Sequence, residues 1–327
     1  MRYKVKVLLQ HQDTLWKQEV QALAIERAGG IMVGYHWSLY YSTLLPTHLF
    51  PQHVYFVWGK VMRELLMKKE SACRHVLPSG VFMVPDGRRP GRLKIFDDKI
   101  NFVISIFDNA ASYDLHLSPA SLSEFYIRLL TVVRKNPGFG CIIKSKFSCP
   151  AFLESLPSSE KIMKLVEELT AQGRLAIFDC SETPLRAGLL SNLSVGYGIS
   201  SACAVSVTNS GPAAVNWDCA GMGKHPVYKC PDQKFVFKTM DELEEAILKA
   251  SEGDKSIGDY GRWKKHINYF EDSLAVDRVV NFLESYMKES INTGDPEHSL
   301  SFAVKKYLID NKVGEDFYQN EGLWKDE

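Results

Sequence analysis

The sequence predicts an α/β protein built on parallel β-sheets, and three observations lead to this class. Short apolar segments of strand length alternate with segments of helical periodicity along most of the 327 residues. The segment 101–107 is apolar almost throughout, which is typical of a strand covered on both faces. The segment 187–218 runs from a strand through glycines into an apolar helix and on to another strand, the order of a βαβ unit. Together these patterns predict doubly wound parallel sheets.

The composition is that of a globular protein and excludes several functional classes. Hydrophobic residues make up 45% of the chain, charged residues make up 24%, and the formal net charge is zero. A nucleic-acid-binding protein normally carries a basic excess, so we expect no nucleic-acid partner. The longest apolar runs, at 54–58 and 102–107, are far shorter than the ~20 residues that a membrane helix needs, and none is predicted.

The cysteines indicate reduced thiols. There are seven, an odd number, and no CxxC pair occurs. Cys141 and Cys203 lie in apolar runs, where cysteine behaves as a small hydrophobe. This usage argues against a disulfide framework and against a structural zinc site. The N-terminal segment has too short an apolar core for a secretory signal, so we expect a cytoplasmic protein.

The length predicts two domains, and the stretch PDGRRPG at 85–91 is the expected linker. Residues 1–90 form a small first domain, with strands predicted at 4–9, 31–35, 54–58 and 74–81 and helices at 16–27 and 60–69. Residues 91–260 form a second domain, with strands at 101–107, 140–144, 175–178, 193–195, 213–217 and 235–238 and helices at 121–134, 159–171, 184–190, 202–208 and 240–250. Residues 261–327 are C-terminal helices, a long one at 261–288 and a shorter one at 300–309.

The turn before the helix at 202–208 is the first candidate site. Gly196 and Gly198 lead into Ser200 and Ser201, and a helix that begins there offers unpaired N–H groups and the positive end of its dipole. Phosphate groups are commonly bound at such helix ends. An ordinary βα junction, with one of the serines as the N-cap, explains the same pattern. Both interpretations stay open.

A series of stretches, in this order, resembles the C-terminal half of GT-B glycosyltransferases. The stretches are NFVISIFDNAAS, FYIRLLTVVRKNPGFGCIIKSK, GRLAIFD, LSVGYGISSACAVSV, AVNWD, KFVFKTMDELEEAI and YFEDSLAVDRVVNFLESY. They are most similar to bacterial surface-carbohydrate and capsule biosynthesis transferases, including the Kdo-transferase and sialyltransferase-like enzymes. The resemblance implies two Rossmann-like parallel-sheet domains facing a cleft, with the N-terminal one small or truncated. It also implies that the C-terminal helices at 261–327 cross back to the N-terminal domain.

The resemblance implies a donor phosphate site in the second domain. Gly198, Ser200 and Ser201 stand where the family holds the donor's phosphate. At 141–146 the family has a Lys-Pro-His-Pro-like sequence, and here the segment ends in Lys144, Ser145 and Lys146. Lys144 and Lys146 would meet a diphosphate as point charges. Two surface lysines at a strand end are an equally good interpretation.

Four polar residues at predicted strand ends are candidates to bind the donor's sugar or nucleoside. The carboxyl ends of parallel strands line the ligand crevice of an open α/β sheet. The candidates are Asp108, Asn109, Asp179 and Asp218. Each is also a residue that commonly forms turns, so a purely structural role stays open for all four.

The same geometry selects the catalytic candidates of the first domain. Glycosyl transfer with inversion needs a general base on the acceptor hydroxyl, usually a carboxylate or a histidine. Asp13 is the preferred candidate and His36 the second. Asp13 is equally suited to cap the helix at 16–27. The aromatic residues Trp37, Tyr40 and Tyr41 either stack on a sugar or cover the sheet edge.

We therefore expect a glycosyltransferase that moves a sugar, or a polyol phosphate, from a nucleotide-activated donor to a bacterial surface polysaccharide such as capsule or lipopolysaccharide. No bound metal or cofactor is expected, because GT-B enzymes need none and no metal-ligand spacing is present. The expected partners are the nucleotide sugar, the glycan acceptor and other polysaccharide-assembly proteins, with peripheral association at the inner face of the cytoplasmic membrane. Two alternatives stay open: a GT-B-related sugar-nucleotide epimerase, and a non-catalytic subunit of a capsule or O-antigen assembly complex.

Overall fold

The structure is a computed structural model, and it describes residues 5–10, 17–36, 38, 50–68, 72–82, 96–109, 117–208, 211–223, 225–230, 233–319 and 321. The chain divides into two units. Unit 1 comprises Met1–Phe82 together with Arg262–Glu327, and unit 2 comprises Met83–Gly261. The predicted linker at 85–91 lies outside the described residues.

Ten strands and eleven α-helices occur in the described residues. The strands are β1 (Val7–Gln10), β2 (Ile31–Tyr35), β3 (Val54–Val57), β4 (His75–Pro78), β5 (Phe102–Phe107), β6 (Phe139–Lys144), β7 (Leu175–Ile177), β8 (Leu193–Tyr197), β9 (Ala213–Trp217) and β10 (Val236–Phe237). The helices are α1 (Lys17–Arg27), α2 (Lys60–Lys68), α3 (Pro119–Lys135), α4 (Ala151–Glu154), α5 (Ser159–Ala171), α6 (Pro184–Leu189), α7 (Ser201–Thr208), α8 (Met240–Ser251), α9 (Trp263–Ile267), α10 (Ala275–Thr293) and α11 (Pro296–Asp310). Short 3₁₀ turns lie at Pro226–Lys229 and Glu315–Phe317.

Unit 1 contains a four-stranded parallel sheet in the order β1-β2-β3-β4. Alternate residues of its strands enter different apolar clusters, because successive strand side chains point to opposite faces. Met32 packs with α1, whereas Val33 and Phe56 pack with α10 and α11. The Phe56 ring lies 5.3 Å from that of Phe282 and 5.5 Å from that of Tyr307, centre to centre. Helices that follow unit 2 in sequence therefore complete the core of unit 1.

The predicted long helix at 261–288 is wrong, because the chain forms two helices with an irregular segment between them. Helix α9 ends at Ile267 and α10 begins at Ala275. In between, the Asn268 side-chain oxygen accepts from the N–H of Val81 at 3.1 Å, and the Tyr269 N–H donates to the Trp58 carbonyl at 2.9 Å. These bonds pair the segment with the chain beyond β3 and β4, so its backbone polar groups are satisfied without a helix.

Unit 2 contains a six-stranded parallel sheet in the order β10-β9-β8-β5-β6-β7. Counted from β5, this is the strand order 3-2-1-4-5-6 of doubly wound dinucleotide-binding folds, which confirms the predicted class. Helices α3, α5 and α8 share one apolar cluster with the sheet. Helices α6 and α7 pack against each other so closely that a Cβ on Gly188 would lie 2.2 Å from the Ser206 hydroxyl oxygen.

Strand β5 lies at the centre of this sheet and contains one buried hydroxyl, Ser105. Its oxygen lies 3.1 Å from the hydroxyl oxygens of Ser191 and Ser194, and Ser194 in turn lies 3.1 Å from Ser206. The four serine hydroxyls thus satisfy one another by hydrogen bonding inside the apolar core. Strand order reverses between β5 and β8, and the carboxyl ends of these two strands mark the ligand-binding position of such sheets.

Candidate functional site

The turn from β8 to α7 lies beside the point where the strand order reverses. Strand β8 ends at Tyr197, Gly198 follows with a φ of +69°, and α7 begins at Ser201. The Gly198 N–H donates to the Trp217 carbonyl at 2.9 Å and so extends the pairing with β9. The positive φ is readily adopted by glycine and disfavours other residues. The chain therefore turns sharply and directs the start of α7 to the carboxyl edge of the sheet.

Ser200 is the N-cap of α7. Its hydroxyl oxygen accepts from the N–H of Ala202 at 3.2 Å, and its own N–H donates to the side-chain oxygen of Asn216 at 2.9 Å. Ser200 is buried and Ser201 is partly exposed. The capping role that the sequence left open is thus present, and the role of both serines with phosphate stays a prediction.

Asn216 is the residue of this site that the sequence reasoning missed. It is fully buried in β9, and its amide nitrogen donates to the Phe235 carbonyl at 3.3 Å and to the Tyr260 hydroxyl at 3.0 Å. Both the oxygen and the nitrogen of the Asn216 amide therefore form hydrogen bonds, and the bond to the oxygen holds the backbone of Ser200. The sequence does contain a signal for this role, a single asparagine inside the apolar run AAVNW. A buried amide needs hydrogen-bond partners, so such a residue is expected to hold neighbouring groups in place.

Gly196 allows this arrangement by leaving room for it. A Cβ at this position would lie 2.5 Å from the Asn216 side-chain oxygen, 2.7 Å from the Ser200 Cβ and 2.8 Å from the Cys203 sulfur. All three distances are shorter than Cβ contacts in real structures. The glycine therefore permits β8, β9 and the start of α7 to meet.

Asp108 joins the ends of β5 and β6. It is 8% exposed, and its carboxylate accepts from the Tyr126 hydroxyl and from the N–H of Lys146, both at 2.7 Å. Burial raises the pKa of this carboxyl, and the hydrogen bond from Ser145 opposes that change. The structure thus gives Asp108 a bracing role, and the partly exposed Asn109 follows it at the same edge.

The two lysines of the predicted phosphate site differ in their surroundings. Lys144 is buried, and its ammonium donates to the Ser145 carbonyl at 2.7 Å. Lys146 has an exposed side chain, while its backbone N–H is held by Asp108. Of the pair, Lys146 therefore has the ammonium group that is accessible at the carboxyl edge.

Asp218 and Asp179 follow strands on opposite sides of the switch point. Asp218 is buried after β9, where its carboxylate accepts from the N–H of Met222 at 3.0 Å and from the Tyr228 hydroxyl. Asp179 is exposed after the edge strand β7, and hydrogen bonds from Ser181 hold its pKa below the ordinary value. Since β6 separates β7 from β5, Asp179 is not brought together with Ser200.

His36, the second catalytic candidate, lies in the interior of unit 1. It is 2% exposed, its Nε2 donates to the Ser38 carbonyl, and its ring centre lies 4.5 Å from that of Trp58. Burial lowers the pKa of this imidazole to about 3, so it is a weak base at neutral pH. Asp13, the preferred candidate base, lies outside the described residues, as do the aromatic residues Trp37, Tyr40 and Tyr41.

The described part of the chain holds no group of three or more His, Cys, Asp or Glu side chains placed to bind a metal ion. No helix among those residues has the length and apolar character needed to cross a bilayer.

Comparison with known proteins finds likeness in the fold. No protein-family model and no curated protein match the chain. A Listeria monocytogenes protein described as a UDP-N-acetylglucosamine 2-epimerase matches in structure with a TM-score of 0.59 and 14% identity, over 87% of this chain and 74% of that one. S. aureus MnaA, solved with UDP, gives 0.58 and 11%, over 87% and 77%. The Neisseria meningitidis UDP-GlcNAc 2-epimerase, solved with UDP-GlcNAc, gives 0.52 and 12%, over 85% and 76%.

These likenesses and the two parallel sheets confirm the predicted GT-B-like α/β fold class. Because the sequence identities are only 11% to 14%, these comparisons show a shared fold and nothing more specific. The narrower type, Kdo-transferase or sialyltransferase-like, stays a prediction.

Proposed function

We propose that this protein is an enzyme that binds a nucleotide-activated sugar at the carboxyl edge of the unit 2 sheet and transfers the sugar to a glycan acceptor. One observation carries the proposal. The start of α7 stands at the strand-order reversal between β5 and β8, where open α/β sheets bind their ligands. Helix N-termini bind phosphate, and the donor of a glycosyl transfer presents phosphate to the enzyme.

The proposed chemistry depends on stabilising the departing phosphate. The N-terminal end of α7, with the Ser201 hydroxyl, supplies hydrogen-bond donors and a partial positive charge to that phosphate. Lys146 supplies a full charge from the neighbouring side of the switch point. Asn109 contacts the sugar or nucleoside in this proposal, while Asp108 and Asp218 position the loops that surround it. Because the turn is held by Asn216, its donors need little rearrangement when the ligand binds.

The acceptor and the catalytic base belong to the proposal as well. The resemblance to surface-carbohydrate transferases supports a bacterial surface polysaccharide acceptor, and Asp13 is the proposed base. His36 is a poorer candidate because its imidazole is buried and its pKa is low.

A sugar-nucleotide epimerase is the second candidate, and the fold comparison favours it. The three structures described above are UDP-N-acetylglucosamine 2-epimerases or a protein solved with UDP. An epimerase needs carboxylates that converge on the sugar. At the edge described for unit 2, Asp108 and Asp218 follow strands separated by β8, and both are buried with protein partners. That arrangement favours transfer over epimerisation.

The experiment that separates the candidates follows the fate of the nucleotide sugar by NMR. The protein is incubated with UDP-, CMP- and GDP-linked sugars, with and without a glycan acceptor. Release of free nucleotide that requires the acceptor, together with the sugar bonded to that acceptor, supports transfer, and a changed sugar configuration supports epimerisation. Binding with neither product would identify the non-catalytic subunit instead. Ser201→Ala is expected to reduce turnover, whereas Thr239→Ala, which removes the N-cap of a different helix, α8, is expected to retain it.

A further inference from the structure

Unit 1 contains a basic pocket that the proposed function does not use. Its volume is about 430 Å³, within the range of small-molecule sites. The residues that line it are Lys60, Arg262, Lys265, His266, Tyr269 and Asp316. Three of the six are lysine or arginine and one, Asp316, is a carboxylate, while burial lowers the pKa of His266. The lining therefore has more positive than negative charge and favours an anion.

Lys60 carries its positive charge at a buried helix N-terminus, a position that disfavours cations. It is the first residue of α2 and is 7% exposed, and the first turn of this helix also contains Arg63 and no acidic residue. Cations are disfavoured at a helix N-terminus and are costly to bury unpaired. A negatively charged partner at this point satisfies both requirements.

The backbone brings further basic groups to the same place. A Cβ on Gly59 would lie 2.5 Å from the His266 carbonyl oxygen and 2.7 Å from that of Ile267. The absence of a side chain at Gly59 therefore allows α9 to approach the start of α2. Arg262 precedes α9 and Lys265 lies within it; both side chains are exposed, and neither forms an ion pair with another described residue.

An anionic group of the chain itself already stands at this cluster. The carboxylate of Glu321 pairs with the Lys60 ammonium and lies 3.5 Å from the His266 Nδ1. Its side chain is 36% exposed, and its backbone N–H donates to Glu64 at 2.7 Å. The carboxylate marks where an oxyanion fits. Glu321 and Asp316 together bring two negative charges to the three positive charges of Lys60, Arg262 and Lys265, so an excess of positive charge remains.

We propose that this pocket binds the phosphate group of a small organic phosphate, with Glu321 holding the position of the anion until the ligand replaces it. A phosphate monoester carries up to two negative charges and three acceptor oxygens, so it matches Lys60, Arg262 and Lys265 better than one carboxylate does. The remaining volume accommodates the organic part beside Tyr269. The proposal does not depend on the nucleotide site of unit 2.

The test is calorimetric titration with inorganic phosphate, a hexose phosphate and a hexuronate at constant ionic strength. Glu321→Gln removes the competing charge and is expected to tighten phosphate binding about tenfold. The double variant Arg262→Ala/Lys265→Ala is expected to weaken it at least about tenfold. Lys264→Ala, on the same helix but outside the lining, is the matched control and is expected to bind as the parent does.

Three outcomes would overturn the proposal. These are no phosphate binding to the parent and to Glu321→Gln, equal binding by all variants, or preference for the hexuronate over the hexose phosphate. Ser201→Ala separates this site from the one in unit 2, because phosphate bound at the basic pocket is unaffected by that change. Lys265→Ala alone, at an exposed position, keeps the test valid if the double variant fails to fold.

Discussion

At the scale of single residues, Asn216 holds the candidate site together. Its side chain joins the N–H of Ser200 to the Phe235 carbonyl and the Tyr260 hydroxyl, all in the interior of unit 2. A buried polar group without a partner costs about 1–3 kcal/mol. The Phe235 carbonyl also accepts from the Asn216 backbone N–H at 2.8 Å, so the Ser200 N–H and the Tyr260 hydroxyl are the two groups that depend on this side chain. The turn that leads into the proposed phosphate-binding end of α7 is thus fixed by a residue that has no role in contacting the ligand.

Replacing Asn216 by leucine is expected to destabilise unit 2 more than replacing Ser200 by alanine. Asn216→Leu leaves the Ser200 N–H and the Tyr260 hydroxyl without their partner and should lower the free energy of unfolding by about 2 kcal/mol or more. Ser200→Ala removes one N-cap and should lower it by about 1 kcal/mol. Denaturant unfolding measures both values, and equal losses would show that Asn216 does not hold the turn.

Asp108 is expected to give the protein a specific pH dependence. Burial raises its pKa above the ordinary value of 3.8, so the folded state takes up this proton more readily than the unfolded state. The contribution of Asp108 to the free energy of unfolding is therefore fully present below pH 3.8. It is lost as the pH rises through the higher pKa of the folded state.

The measurement is the free energy of unfolding of the parent and of Asp108→Asn between pH 7 and pH 4. Asparagine keeps an acceptor for the Lys146 N–H and removes the titration. The parent should gain stability relative to the variant as the pH falls. A difference that is constant across this range, or that changes the other way, would contradict the assignment.

At the scale of elements, the site is a junction of β8, β9 and α7 in which glycines set the spacing. Gly196 is needed because a Cβ would overlap Asn216 and Ser200, whereas Gly198 and Gly221 are needed for their positive φ values. Gly221 has a φ of +66° and nothing within 4 Å of an added Cβ, so it provides a matched comparison.

Gly196→Ala is expected to abolish nucleotide binding, and Gly221→Ala is expected to leave it intact. Alanine at position 221 loses about 1 kcal/mol of stability because of its left-handed backbone conformation, and its Cβ contacts no neighbour. Alanine at position 196 displaces Ser200 and the start of α7. Thermal shift with nucleotides measures both effects, and retained binding by Gly196→Ala would argue against the site.

At the scale of the whole molecule, the fold could be predicted from sequence because its strands are short apolar runs bounded by turn residues. Helix α5 and strand β9 begin and end at the predicted residues, since local periodicity and flanking breakers decide them. The interruption after Ile267 could not be predicted, because it depends on bonds from Asn268 and Tyr269 to distant segments. The bracing partners of Asp108 and Asp218 were missed for the same reason: strand ends can be located from sequence, but the direction of their side chains cannot.

Each unit contains a buried histidine with a strongly lowered pKa, and both should make the molecule sensitive to acid. Burial lowers the pKa of His36 in unit 1 and of His225 in unit 2 to about 3. The unfolded chain binds these protons near pH 6.5, so the stability that each neutral imidazole preserves is present above pH 6.5 and is lost as the pH falls towards 3.

The expected slope from each histidine is about 1.4 kcal/mol per pH unit within that window. Calorimetric melting between pH 7 and pH 4 should show His36→Gln and His225→Gln each losing less stability on acidification than the parent. Identical acid sensitivity in the parent and both variants would exclude these two residues as the cause.

The central claim is that phosphate of a nucleotide binds at the start of α7, and one calorimetric titration tests it most directly. CMP, CDP, UDP and GDP are titrated into the parent, Ser201→Ala and Thr239→Ala, the last of which loses the N-cap of α8, a helix that follows β10 and not β8. We expect one nucleotide to bind selectively, with affinity about tenfold weaker for Ser201→Ala and unchanged for Thr239→Ala. Absence of binding by every nucleotide, or equal affinity in the parent and Ser201→Ala, would contradict the claim.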